Sequence, residues 1–309
     1  MRLSHNPVLL DTVIESLNII PNGTYIDCTF GRGGHSKNIL EKIDIKGKLI
    51  AIDKDSEAEL YAISQFKNDK RFYFERNNFS NIKQIIKKHN NSEKVNGILL
   101  DLGVSSPQLD NPIRGFSFMN EGPIDMRMDT SNNMTALLWL QEANVNEISD
   151  VLWKYGEEKY SRRIAKLIKE SLKSNSLNTT TDLSKLIDKC YPKSKKRKKN
   201  TATKSFQAIR IFINQELEEL EKILDDILAL VEKGGRIVVI SFHSLEDRIV
   251  KNFIKKHSEG KNIISHLPIK NFNKNLSLKK IKIPLKASDV EIKKNIRARS
   301  ARIRVAEKI

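Results

Sequence analysis

Cysteine is nearly absent. The 309 residues hold two, Cys28 and Cys190, with no Cys-x-x-Cys and no metal-ligand spacing. That excludes a disulfide scaffold and fits two free thiols in a reducing compartment. The six histidines show no paired spacing either, so no metal is expected. No apolar run approaches the roughly 18 residues of a membrane span. The opening stretch, MRLSHNPVLLDTV, lacks the charged region and long apolar run of a secretory signal. A cytoplasmic protein that does not engage a membrane is expected. Acidic residues are also short: 38 Asp plus Glu stand against 55 Lys plus Arg, a formal charge of +17. The excess says little about fold and much about partners. Polyanions are favoured, nucleic acid before an anionic membrane surface. A chain simply rich in Lys, Ile and Asn is the plain alternative.

Hydrophobic residues make up 39%, enough for a sizeable core and about two domains. In the first third, short apolar runs alternate with helical patterns. Strands are predicted ending at Asp27, over residues 48–53, over 71–74 and over 97–101. Ile82, Ile85 and Ile86 lie at helical spacing between them, with Ser80 as the expected N-cap. Such alternation means a parallel sheet with crossover helices. It then stops: residues 103–204 hold a loop rich in Gly, Pro, Met and Phe, then helical patterns, then a basic run. One long helix is predicted over 206–232, stopped by Gly234. A buried strand follows over 236–240, a capping box at Ser244 opens the next helix, and a last strand covers 301–305. The expected architecture is α/β: a Rossmann-like sheet domain from residues 1–103 and 206–309, interrupted by an all-helical insert over 104–205.

The stretch DCTFGRGGHS, residues 27–36, places three glycines in four positions directly after a strand. In a doubly wound sheet that is where ligands bind. A nicotinamide dinucleotide calls for Gly-x-Gly-x-x-Gly. Gly31 and Gly33 fit, but Ser36 stands in the third place, and Asp27 would repel a pyrophosphate. A ligand bearing an ammonium or sulfonium group would be attracted. Asp53, ending the second strand about 20 residues beyond the glycines, can accept both hydroxyls of a ribose. Together these features favour S-adenosylmethionine over a dinucleotide.

Longer motifs carry a resemblance. They are HNPVLL at 5–10, TFGRGGHS at 29–36, GILLDLGVSSPQLD at 97–110, RGFSF at 114–118, GPIDMRMD at 122–129, SFHSLEDR at 241–248 and RARS at 297–300. In this order and over nearly the whole chain they resemble the bacterial small-subunit ribosomal RNA cytosine-N4 methyltransferases, the RsmH or MraW family. Ile124 and Ile296 depart from the pattern, where Leu and Pro are usual. The resemblance implies a methyltransferase fold with an inserted helical domain. It implies methyl transfer from S-adenosylmethionine to the exocyclic N4 of a cytidine in the decoding centre of 16S ribosomal RNA. Cofactor positions carried over from it fall on Gly33, Gly34, His35, Asp53, Phe79, Asp101 and Gln108. Asp27 and Gly31 join them from the residue chemistry above.

Two other readings compete: a basic RNA-binding protein with an inactive cofactor site, and an NAD-dependent oxidoreductase. Retained Asp27, Gly31, Gly33, Gly34, Asp53 and Asp101 argue against the first, and the missing glycine against the second. The N4 lone pair is delocalised into the cytosine ring, so acceptors for its protons would help catalysis. The fourth strand ends Asp-Leu-Gly-Val rather than in the Asp/Asn-Pro-Pro-aromatic pattern of many amino-methyltransferases. Asp101, Ser105 and Asp125 stay open as catalytic candidates, and Asp101 is assigned to the cofactor before the amine. Phe116 and Phe118 either stack on a flipped base or anchor a loop. The basic run Lys195, Lys196, Arg197, Lys198 and Lys199 is the expected phosphate contact.

Overall fold

The computed structural model describes residues 7–90, 92–192, 200–259 and 276–309. The chain divides into two compact units, Met1–Gly103 with Leu217–Ile309, and Val104–Glu216.

The first unit is built on a seven-stranded sheet: β1 (Thr24–Asp27), β2 (Lys48–Asp53), β3 (Phe72–Arg76), β4 (Val95–Asp101), β5 (Val231–Ser241), β6 (Leu278–Ile281) and β7 (Arg302–Lys308). Their order is β3-β2-β1-β4-β5-β7-β6. The first five are parallel, and β7 runs antiparallel to both β5 and β6. Alternate residues of each strand point to opposite faces. Ile26, Ile50, Ile98, Leu100, Ile237 and Val239 pack on one side with Ile82, Ile86, Leu220, Leu224 and Val250. Tyr25, Leu49, Leu99, Val238 and Ile240 pack on the other with Val13, Leu17 and Ile39. Both faces of the central strands are therefore buried, which is why β4 carries the unbroken apolar run Ile98-Leu99-Leu100.

Local signals differ from the sequence expectations in three places. The helix predicted over 206–232 is two helices, Thr203–Asn214 and Glu216–Leu230, broken at Gln215, whose φ is +51°. The second ends at Leu230, so Gly234, φ +82°, lies inside β5 and not at a helix stop. Asn78, and not Ser80, caps the turn after β3, its side chain accepting the Ser80 amide. The opening of helix Ser244–Glu259 is likewise held one residue early. The Glu246 carboxylate accepts the backbone amides of Phe242 and His243 at 2.8 and 3.3 Å. Asp247 accepts Arg302 and Arg304 from β7, at 2.9 Å and at 2.7 and 3.1 Å. Burial alone would raise its pKa, but the two guanidinium groups outweigh that and hold it below the usual carboxylate range.

The second unit is helical: Ser106–Asp110, Ala136–Glu142, Val145–Gly156, Ser161–Lys173, Thr180–Lys189 and Thr203–Asn214. Its core includes Leu140, Ile148, Leu152, Ile164, Ile168, Leu183, Ile187 and Ile211, all at most 1% exposed. Among its described residues the only β pairing is an isolated bridge between Pro123 and Thr179. Asn214 ties down the long loop, accepting the Met128 amide and donating to the Met126 carbonyl.

Candidate cofactor site at the strand ends

The C-terminal ends of β1, β2 and β4 bring Asp27, Asp53 and Asp101 side by side, next to the glycine loop and the helix start that carries His35. Asp27 is 1% exposed. Its carboxylate accepts the Ser36 hydroxyl at 2.7 Å and the Thr29 amide at 3.2 Å, which clamps the glycine loop to the helix that follows it. Burial pushes its pKa up. The Ser36 hydroxyl, His35 and the Thr29 amide pull the other way, and Asp101 adds to the rise. Asp27 therefore serves the loop directly, as the group that holds its shape.

Asp53 is half-buried at the end of β2. Its Oδ2 accepts the Gly31 amide at 2.8 Å and its Oδ1 the Asp55 amide at 3.0 Å. Burial raises its pKa to about 6 against those two bonds, and the charges of Asp55 and Asp27 contribute to the rise. A carboxylate offers about four lone-pair positions, so two remain for further donors. The Asn77 amide, two residues before Phe79, bonds the Asp53 carbonyl at 3.0 Å. The turn Phe79–Asn81 follows, with Phe79 partly buried against the core.

The glycines are also required by the packing around them. Gly31 and Gly33 have φ of +55° and +65°, where side chains are disfavoured. A Cβ at Gly33 would lie 2.7 Å from the Phe30 ring and 2.8 Å from Phe66, and one at Gly34 2.3 Å from Pro7. The space beside Gly33 and Gly34 is thus filled by the protein's own side chains. What they offer a ligand is backbone, not a cleft of their making.

Asp101 closes the group from β4. Its backbone amide donates to Thr29 Oγ1 at 2.7 Å, which fixes the strand end against the glycine loop. His35, in the first turn of helix Gly34–Leu40, is 5% exposed. Its Nε2 lies 3.5 Å from Asp101 Oδ2, with the His35 side chain 6% and that of Asp101 25% exposed. That approach makes no hydrogen bond. His35 Nδ1, His35 Nε2 and Asp101 Oδ1 are all buried atoms without a hydrogen-bond partner among the described residues. Leaving such groups unpaired costs about 1–3 kcal/mol each. Three of them in one place single out the end of β4 from the rest of the sheet.

The other candidates belong to the second unit. Gln108 is buried, and its Oε1 accepts the Ser105 amide at 2.9 Å as half of the capping box of helix Ser106–Asp110. Ser105 is the N-cap of that helix. Both oxygens of Asp125 are held by Arg127, at 2.8 and 2.6 Å, an ion pair that makes Asp125 a loop anchor. Phe116 is buried with the Arg114 guanidinium 5.8 Å above its ring, and Phe118 meets Phe206 edge-on at 5.0 Å. Both aromatic side chains are packed within this unit. The run Lys195, Lys196, Arg197, Lys198 and Lys199 lies outside the described residues. Thr29 and Ser36, which hold Asp101 and Asp27, were not singled out from the sequence, although both lie in the TFGRGGHS motif.

The family described as the MraW methylase family matches residues 2–309. The chain belongs to the MraW methylase family. A relative from Thioalkalivibrio sulfidiphilus (strain HL-EbGR7), named ribosomal RNA small subunit methyltransferase H, is 48% identical over 307 residues, 99% of this chain and 98% of that one. One of the same name from Coxiella burnetii (strain Dugway 5J108-111) is 46% identical over 306 residues, 99% of each. A solved rRNA methylase from Streptococcus thermophilus aligns over 97% of this chain and 93% of that chain, at 10% identity and a TM-score of 0.42. For an MraW methylase the strand-end acids fit the expected methyl donor. Asp27, Asp53 and Asp101 set three carboxylates around one crevice, a field that suits a cationic sulfonium and opposes a pyrophosphate. Among the described residues no helix is long and apolar enough to cross a membrane.

Proposed function

We propose that this chain transfers a methyl group from S-adenosylmethionine to the exocyclic N4 of a cytidine in the decoding centre of 16S ribosomal RNA, in the cytoplasm. Family membership supports the methylation. The observation that carries the site is the cluster of unpaired buried polar atoms at the end of β4, beside two further carboxylates.

When bound, S-adenosylmethionine supplies a methyl group on a positively charged sulfur. The chain's own residues then act by position. Asp53 accepts the ribose hydroxyls with the two lone-pair positions that Gly31 and Asp55 leave. Phe79 covers one face of the adenine. The loop Gly31–Gly33–Gly34, held in shape by Asp27, offers its backbone to the methionine end. Gln108 contributes a carboxamide whose oxygen already caps its own helix. Of the three catalytic candidates, Asp101 is favoured. Asp125 is paired in full with Arg127, and Ser105 serves as a helix cap, whereas Asp101 Oδ1 is unpartnered among the described residues. The same carboxylate offsets the donor's charge and stands ready for an amine proton. Lys195, Lys196, Arg197, Lys198 and Lys199 contact RNA phosphates and so position the substrate without reading its sequence.

Mass spectrometry of nuclease-digested 16S RNA, after small subunits are incubated with the protein and S-adenosylmethionine, tests this. An N4-methylated cytidine at one decoding-centre position is expected. A ring-carbon or ribose methyl, or no product, would overturn the reading.

A further inference from the structure

His35 is the least explained group in the crevice. It is buried, it sits on a short helix anchored through Ser36 to Asp27, and neither ring nitrogen bonds anything among the described residues. Its Nε2 lies 3.5 Å from the Asp101 carboxylate. The exposures differ: the His35 side chain is 6% open and that of Asp101 25%. Asp101 thus reaches the crevice and His35 stands behind it. The backbone of Asp101 is fixed by Thr29, so the one freedom left to its carboxylate is rotation about its own bonds.

We infer that His35 is a positioning residue for methyl transfer: its Nε2–H holds the Asp101 carboxylate through Oδ2, and so turns that carboxylate toward the amine that is methylated. This rests on the proposed amine substrate. In the unliganded chain the 3.5 Å approach is longer than a hydrogen bond. Catalytic contacts of this kind commonly shorten when the site is filled. The chemistry balances as follows. The N4 lone pair forms the new C–N bond while the donor's S–C bond breaks, leaving its pair on sulfur as a thioether. The amine gains one positive charge and sheds one proton to the Asp101 carboxylate. His35 keeps its own proton throughout. The inference reverses the order of roles expected for Asp101 from sequence, since the carboxylate serves the amine first. It also gives His35 a role that contact with the cofactor would not.

The test compares His35→Leu, which removes the donor, with His35→Gln, whose amide N–H reaches the Nε2 position. Each is measured for S-adenosylmethionine affinity by calorimetry, and for single-turnover methylation of small subunits at saturating cofactor. For Leu, affinity within about threefold of wild type and a saturated rate about 10–100-fold lower are expected, the size of one charge-assisted bond to a proton acceptor. Gln should recover most of that loss. In an Asp101→Asn background, His35→Leu should slow the reaction by less than about threefold further, because residues acting as a unit are not additive. Thermal melting of each variant shows that it is folded. A rate loss that saturating cofactor abolishes, equal rates for Leu and Gln, or full additivity with Asp101→Asn would overturn the inference. Absence of product from the wild-type protein would instead overturn the proposed reaction, so the two failures are distinct.

Discussion

Cofactor affinity should fall in mild acid, through Asp53. The carboxylate already accepts two backbone amides, from Gly31 and Asp55. The proposed ribose contact uses the two lone-pair positions that remain, and both are available only while the group is ionised. Burial has raised its pKa to about 6. If the protonated form does not bind, affinity scales with the ionised fraction. It is then nearly full at about pH 7.5, half at about pH 6 and about tenfold lower at pH 5. Asp53→Asn keeps an oxygen for one amide but loses the charge. Charge-assisted hydrogen bonds contribute about 1.5–3 kcal/mol, so this variant should bind at least about tenfold more weakly at neutral pH. Its affinity should also be flat between pH 5 and 7.5.

Calorimetric titration of S-adenosylmethionine across that range, at constant ionic strength, checks both parts. A wild-type affinity independent of pH, or an Asp53→Asn protein with wild-type affinity, would refute the placement of the ribose. Stability runs in the opposite sense and must be measured alongside. The folded pKa lies above the unfolded value of about 3.9, so the folded chain holds this proton more tightly. Through this group, the unliganded protein gains stability as pH falls from about 6 to about 4, and loses that gain as pH rises again. A smaller ligand-induced melting shift at pH 5 therefore has to be taken against the unliganded protein at the same pH.

Gly33→Ala and Gly34→Ala should each destabilise the first unit by about 1–3 kcal/mol in urea unfolding, because the added Cβ meets Phe30 and Phe66 or Pro7; unchanged midpoints would remove the packing argument. Asp247→Asn should cost about 2–4 kcal/mol at neutral pH by releasing Arg302 and Arg304. Asp247 is held at a lowered pKa, so its contribution is full above about pH 4 and lost as pH falls below it; a deficit that does not shrink on acidification would contradict the clamp. Replacing Lys195, Lys196, Arg197, Lys198 and Lys199 by Ser should weaken RNA binding and flatten its dependence on log salt by about 0.7 per lost contact on single strands. An unchanged slope would show that these residues touch no phosphate.

Central strands were legible in the sequence because burial on both faces leaves no room for polar residues: β4 and the second half of β5 read as apolar runs. β6 was not, since Leu278–Ile281 is an edge strand with two exposed lysines in the middle, a composition typical of protected edges. The break at Gln215 carries no glycine or proline, and the apolar stripe runs on past it. There the chain turns through a left-handed Gln beside the Arg210–Glu216 ion pair at 2.8 Å, and such a tertiary pairing leaves no periodic trace.

The site was legible as far as strand ends could be counted. Asp27, Asp53 and Asp101 each close a predicted strand, and the sheet order sets β1 between β2 and β4. Sequence could not say which polar atoms are satisfied within the chain. Ser36 and Thr29 take up Asp27, and Arg127 takes up Asp125; the opening is left at His35 and Asp101. Two glycines that looked like room for a ligand are room for Phe30, Phe66 and Pro7.

The charges of this protein pull two ways, and the reaction uses both. A chain of +17 draws in an RNA polyanion, while its crevice gathers Asp27, Asp53 and Asp101. Carboxylates around a sulfonium would by themselves favour the bound donor over the transition state, which lowers dissociation constants without raising the rate. That penalty disappears if the positive charge, leaving sulfur, arrives on an amine in the field of the same carboxylates. In the proposed reaction Asp101 takes that part: it ends the strand beside the glycine loop, keeps an unpaired oxygen and is backed by His35. The charge then shifts across the crevice without leaving its counterions and is discharged as a proton. On this account the acidic strand ends serve the donor and the amine in turn, and the basic surface serves only to bring the RNA.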